Sequence, residues 1–159
     1  MGAGLEQPKG HVMTTIETKQ FLAEIIPAQT AAERAIHNGD PDLRIKLWSH
    51  HDPVTLLGAK LTAIGWEEVE PSFRQVASWF SKSDTWEFEI IAAHASADLA
   101  YIVANEHDEA IVDGHPRSYT LRVTHVYRRE HGQWRIVHRH ADFPPDPDAP
   151  LCPKAASPD

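Results

Sequence analysis

The sequence predicts an α+β fold, with helices packed on one side of a curved, mainly antiparallel sheet. Three observations carry this reading. The first half holds two long stretches with apolar residues at helical spacing, 21–35 and 66–80. The second half, from Trp86 to Phe143, holds four runs rich in residues that suit a pleated surface. The helices precede the four-strand run instead of alternating with it, which favours segregated layers over a parallel βαβ sheet.

The elements follow in order. Residues 1–14 read as a flexible arm. Thr15 or Thr18 can cap a helix whose first turn carries Glu17. Phe21, Ile25, Ala28, Ala32 and Ala35 form its apolar stripe, and Pro27 predicts a kink or a break within it. Gly39 suits the left-handed residue after a helix, and Pro41 suits the first turn of a short helix over 42–48. The SHHDP segment, 49–53, reads as a turn, 54–58 as a strand, and 60–65 as a loop or short strand. A second long helix spans 66–81, with Trp66, Val69, Phe73, Val76 and Phe80 as its stripe and Glu67, Glu68 and Glu70 near its positive end. Strands are expected over 86–95 and 99–108, turning at Ser96-Ala97-Asp98, with Ile111 and Val112 extending the second. A final hairpin joins 119–128 to 134–143 through Glu130-His131-Gly132-Gln133. The proline-rich segment 144–159 cannot pair in a sheet and reads as an extended tail, leaving 15–143 as the domain.

Composition narrows the function classes. A chain of 159 residues with 42% hydrophobic content fits one globular domain. No apolar run approaches the roughly 20 residues of a membrane helix, and the first residues lack the apolar core of a signal peptide, so a cytoplasmic location and no membrane partner are expected. The formal charge of −8 opposes a general nucleic-acid binder. A single Cys152 excludes an internal disulfide.

The final hairpin supplies the candidate site. Strand alternation puts Trp134, Ile136, His138, His140 and Asp142 on one face of the last strand, a series that begins apolar and ends polar. Such a gradient suggests a face that starts in the core and ends in a cavity wall. On the preceding strand Thr120, Arg122, Thr124 and Val126 share one face, and Leu121, Val123, His125 and Tyr127 the other. The former set is read as facing the cavity and the latter as an outer face that meets a second subunit. A buried Arg122 needs a partner, either Glu106, Asp142 or an acidic ligand. His138 and His140 stand roughly 7 Å apart along one face. No third ligand is placed near them, so no metal and no cofactor is assigned. Trp48 is placed at the pocket rim. His50, His51 and Asp52 are read as turn chemistry.

The run Thr124 to His140, with the Gly39-Asp40 stop and the strand beginning at Asp52, resembles the nuclear transport factor 2-like superfamily in its SnoaL-like branch. The hairpin is also similar to the association domain of calcium/calmodulin-dependent protein kinase II. The resemblance implies a cone-shaped fold enclosing a pocket, and a homodimer through the outer sheet face. The ketosteroid isomerase arrangement would place Leu56, Ala32 and Thr124 at its Asp, Tyr and Asp positions, so that mechanism does not carry over. Arg122, Thr124 and Asp142 only partly match the Asp-Arg-Asp set of limonene epoxide hydrolase.

The resulting expectation is a small-molecule-binding protein whose pocket is lined by Trp48, Glu106, Tyr119, Arg122, Thr124, His138, His140 and Asp142. The alternative is an enzyme of the same superfamily, an isomerase, cyclase or hydrolase. It would use His140 or His138 as base and Arg122 to stabilise developing negative charge.

Overall fold

The computed structural model describes residues 14–150; the expected arm at 1–14, apart from Thr14, and the end of the tail lie outside them. Helix α1 (Ile16–Ile36) starts where the Thr15 hydroxyl accepts the Thr18 backbone N–H at 3.1 Å. It runs through Pro27 as one helix, neither broken nor divided. Its buried face is Phe21, Ile25, Gln29, Ala32, Glu33 and Ile36, while Ala28 of the expected stripe is exposed. Gly39 takes φ 89° and turns the chain into α2 (Asp42–Leu47). Strands β1 (Thr55–Leu57) and β2 (Thr62–Ile64) form a short hairpin. Helix α3 (Trp66–Trp79) follows, with the Asp52 carboxylate accepting the Trp66 backbone N–H at 2.9 Å, so the turn does cap a helix.

The long strands are β3 (Phe80–Ser96), β4 (Leu99–Val112), β5 (His115–Glu130) and β6 (Gln133–Asp142). β3 and β5 start earlier than the sequence runs implied, at Phe80 and His115, because both residues still pair with Val112 at the end of β4. Asp113-Gly114 and His131-Gly132 both have positive φ at each residue, the geometry whose twist matches two-residue hairpins. The sheet order is β2-β1-β6-β5-β4-β3. All neighbours are antiparallel except β1, which returns parallel to β6. The β3–β4 ladder shifts register at three places, between Phe80 and Lys82, Ser83 and Thr85, and Ile90 and Ala92.

The core lies between the helices and the face of β5 carrying Val123, His125 and Tyr127. Phe21 packs edge-on to Tyr127 at 5.0 Å and to Trp134 at 5.2 Å. This reverses the expected orientation of β5: Val123, His125 and Tyr127 point inward, and Arg122 is exposed. In β6 the correction has a specific cause. Val126 pairs with His138 but Tyr127 pairs with Ile136, so Val137 is an extra, bulged residue. A one-residue insertion flips every later side chain to the opposite face. Trp134 and Ile136 are buried as expected, but beyond the bulge Arg139 and Ala141 take the inner face.

Candidate functional site

The inner face of the sheet and the helices enclose a cavity of about 470 Å³. Its wall is largely apolar, formed by Ile36, Leu56, Leu61, Val76 and Leu121 among others, and one region of it is densely charged. Five elements supply that region. Glu33 and His37 come from α1 and its C-cap, Arg44 from α2, Glu106 and Asp108 from β4, Tyr119 from β5 and Arg139 from β6.

Strand alternation explains the placement on β4. Ala100, Ile102, Ala104, Glu106, Asp108 and Ala110 are the buried alternate residues, so the two acids continue the core face. On α1, Phe21, Ile25, Gln29 and Glu33 follow at four-residue steps and share one buried face.

Four of the charges form two pairs. The Arg139 guanidinium donates to both Glu106 carboxylate oxygens at 2.7 Å each, a two-pronged contact. It also donates to His125 Nε2 at 2.8 Å, which fixes that ring as a neutral acceptor. Arg44 contacts Glu33 directly. Gln29 links the pair to Tyr127, whose hydroxyl donates to Gln29 Oε1 at 2.8 Å. Burial pushes Glu106 up, but the Arg139 charge more than offsets it and holds the carboxyl down at about 2. Glu33 is raised: burial outweighs the attraction of Arg44, and its Oε2 has no hydrogen-bond partner among the described residues.

Asp108 is the acid left over. It is 2% exposed, and neither of its oxygens has a hydrogen-bond partner among the described residues. Burial, followed by the negative charges of Glu106 and Glu33, pushes it up to about 8. The nearest base is His37, whose Nδ1 is also unpartnered and lies 3.7 Å from Asp108 Oδ1. Burial and then the Arg44 charge lower His37 to about 4. At neutral pH the site therefore holds a protonated carboxylic acid beside a neutral imidazole. Tyr119 pairs with Asp108 across the β4–β5 ladder and also lines the cavity. Its phenol is raised, first by burial and then by Asp108.

The expected site residues divide between the two faces of the sheet. Glu106 and Tyr119 line the cavity. Arg122, Thr124, His140 and Asp142 instead line an outer groove of about 290 Å³ with Ile91, Val103 and Asn105. There Arg122 donates to both Asp142 oxygens, at 2.8 and 2.5 Å, with both side chains about half exposed. Of its two expected partners it meets Asp142, while Glu106 belongs to Arg139. His138 Nδ1 lies 2.6 Å from the Thr55 hydroxyl across the β1–β6 ladder, outside the cavity. Trp48 is 2% exposed and packs edge-on to Phe73 at 5.1 Å, so it is core and not rim. Glu33, His37, Arg44, Asp108 and Arg139 were not anticipated. The signal for Glu33 was its four-residue spacing from Ile25 through Gln29, and for Asp108 its alternation with Ala104 and Glu106.

Known proteins agree with this architecture. A family model described as a SnoaL-like domain matches residues 26–146, more than half of the chain. Among solved structures, an NTF2-like protein of unknown function from Pseudomonas putida is 20% identical, with a TM-score of 0.66, covering 83% of this chain and 92% of that one. A proposed calcium/calmodulin-dependent protein kinase II association domain from Thiobacillus denitrificans is 22% identical, with a TM-score of 0.64, covering 77% of this chain and 96% of that one. A proposed NTF2-like dehydratase from Streptomyces avermitilis is 19% identical, with a TM-score of 0.64, covering 80% and 99% respectively. A comparison with curated proteins gives no match. At these identities the structures establish the fold alone, and the cone of helices on a curled sheet is theirs. The matched family model shows that the chain belongs to the SnoaL-like family, and the solved structures show that it has the fold of nuclear transport factor 2-like proteins.

Proposed function

We propose that the chain binds a small molecule whose largely apolar, uncharged body sits in the inner cavity, and moves a proton on that body. Asp108 would be the acid and His37 the neutral base. The observation that supports this is the pair itself. Asp108 and His37 Nδ1 are buried beside the cavity, 3.7 Å apart, and have no hydrogen-bond partner among the described residues. Buried polar groups are almost always satisfied, so a group left open beside a cavity points to a ligand or water that completes it. Tyr119 would add a hydrogen-bond donor on the next strand.

The chemistry this suits is isomerisation or dehydration next to an oxygen function. The protonated Asp108 gives its proton to the ligand oxygen, and a base takes one from carbon. Relatives of the same fold named as a dehydratase and as a ketosteroid isomerase make these reaction classes reasonable ones to test first. The paired state of Arg44 and Arg139 disfavours an anionic group deep in the cavity. His138 and His140 have no support as the base, because neither lines the cavity. A homodimer through the outer sheet face remains part of this reading. Its supporting residues are now Ile91 and Tyr101, exposed on that face, and sedimentation of a strict monomer would remove it.

The test uses nitrobenzisoxazole, whose ring opens when a base takes its C–H proton and the N–O bond breaks, giving a coloured cyanophenolate. The neutral His37 imidazole should take this proton while the protonated Asp108 donates to the departing oxygen, so the rate should fall as pH rises through about 8. Asp108→Asn should lower it at least about tenfold. The same rate in the variant would leave Asp108 without an acid–base role.

A further inference from the structure

The charged residues that line the cavity separate by depth. Glu33, Arg44, Glu106, Asp108 and Arg139 are all buried, and the two Arg among them are neutralised by direct pairing. The only exposed charged residues among the described lining residues are Lys60 and Arg117, and both are positive. They come from separate elements. Lys60 sits in the loop between β1 and β2, where the Gly58 N–H donates to the Leu61 carbonyl at 2.8 Å and closes a tight turn. Its ammonium lies 5.4 Å from the ring centre of Phe143, itself an exposed residue of the cavity lining. Arg117 stands near the start of β5, paired across the ladder with Ala110, and has no ion-pair partner among the described residues.

A positive mouth is not what the chain as a whole would give. Acids outnumber Lys and Arg by 23 to 15, yet no exposed acid lines this opening among the described residues. Exposed cations are usually solvated and interact weakly. Two of them at the entrance to an apolar hollow form a local field that an anion entering with an apolar body would feel at short range.

We infer that the ligand is amphipathic, with an uncharged body in the cavity and an anionic group, such as a carboxylate, sulfonate or phosphate, held at the mouth by Lys60 and Arg117. This rests on the reading of the cavity as a binding site and specifies which end of the ligand stays outside. Selection would then work by position. An anion is accepted at the rim, where its charge stays partly hydrated. It is refused at depth, where it would have to displace Glu33 or Glu106 from an existing pair.

A matched pair of fluorescent probes tests this. Anilinonaphthalene sulfonate and phenylnaphthylamine share an apolar body and differ by the sulfonate. The wild-type protein should bind the sulfonate probe about five- to tenfold more tightly at low salt, the sum of two weak exposed attractions. In the Lys60→Gln, Arg117→Gln double variant that preference should collapse to about one. The affinity for the neutral probe should stay unchanged. Both positions are exposed, so the variant should keep its fold, and far-ultraviolet circular dichroism checks this. A preference that is absent in the wild type, or that survives in the double variant, overturns the assignment of the mouth while the cavity reading stands. Failure of both probes to bind the wild type overturns the cavity reading, and this inference falls with it.

Discussion

Replacing Asp108 by Asn isolates the one acid that the cavity leaves unpaired. Its folded-state value is about 8, against 3.8 for an ordinary Asp. Because the folded value is the higher one, the folded protein keeps a proton that the unfolded chain has released. The associated stability is complete below about pH 4 and is lost as pH rises toward 8, at about 1.4 kcal/mol per pH unit. His37 acts in the opposite sense. It is lowered from 6.5 to about 4, so its contribution is present above 6.5 and lost as pH falls toward 4. His125 and His138 are also lowered and likewise add no slope above 6.5. Between pH 6.5 and about 8 the slope from Asp108 is therefore uncovered. The window is 8 − 6.5, about 1.5 pH units, which corresponds to about 2 kcal/mol. Urea unfolding followed by the buried Trp48 and Trp134 reads this directly. Glu33 and the surface acids contribute equally to both proteins and cancel in the difference. The variant should gain about 2 kcal/mol on the wild type across the window. Parallel curves would mean that Asp108 titrates as an ordinary surface acid, and the argument from its isolation would be mistaken.

Three further outcomes follow from the pairings. Glu106→Ala strands the buried Arg139 guanidinium and should cost about 3–5 kcal/mol in urea unfolding. Arg122→Ala breaks a pair that is half exposed on the outer face. It should cost less than about 1 kcal/mol and leave binding of phenylnaphthylamine unchanged, since Arg122 does not reach the cavity. Tyr127→Phe removes the donor to Gln29 deep in the core and should cost about 1–3 kcal/mol, read by the same unfolding experiment.

The parts of the fold that were legible are those set by neighbours in sequence. Gly39 stops α1, the two Gly-containing turns close hairpins, and Val69 and Phe73 bury the stripe of α3. Parity in β6 was legible up to Ile136 and lost at Val137, because a bulge answers to the partner strand and not to local composition. That single residue moved His138 and His140 out of the site and Arg139 into it. The orientation of β5 failed for a related reason. Its two faces are similar in composition, and what decides between them is Phe21 on a distant helix. The parallel placement of β1 beside β6 depends on strand order, which no local pattern records. The buried charges were hidden by their residue types. Glu33, Arg44 and Arg139 read as surface residues one at a time, and only their joint positions make burial affordable.

Those joint positions also set what the cavity can accept. Arg44 and Arg139 cancel Glu33 and Glu106, so the polar region is neutral as long as Asp108 keeps its proton. A carboxylic acid in this state donates a hydrogen bond, whereas its ionised form only accepts. A ligand oxygen that accepts from Asp108 therefore stabilises the protonated form and pushes its value higher still. By linkage, such a ligand must bind more weakly as pH climbs past about 8, roughly tenfold per unit once Asp108 ionises in the free protein. A ligand that instead donates to Asp108 gains affinity over the same range. Titrating a panel of small ketones and alcohols with the wild type and with Asp108→Asn separates the two. Ketone binding that falls with pH only in the wild type identifies Asp108 as the donor, and pH-independent binding in both proteins would show that the ligand oxygen lies elsewhere.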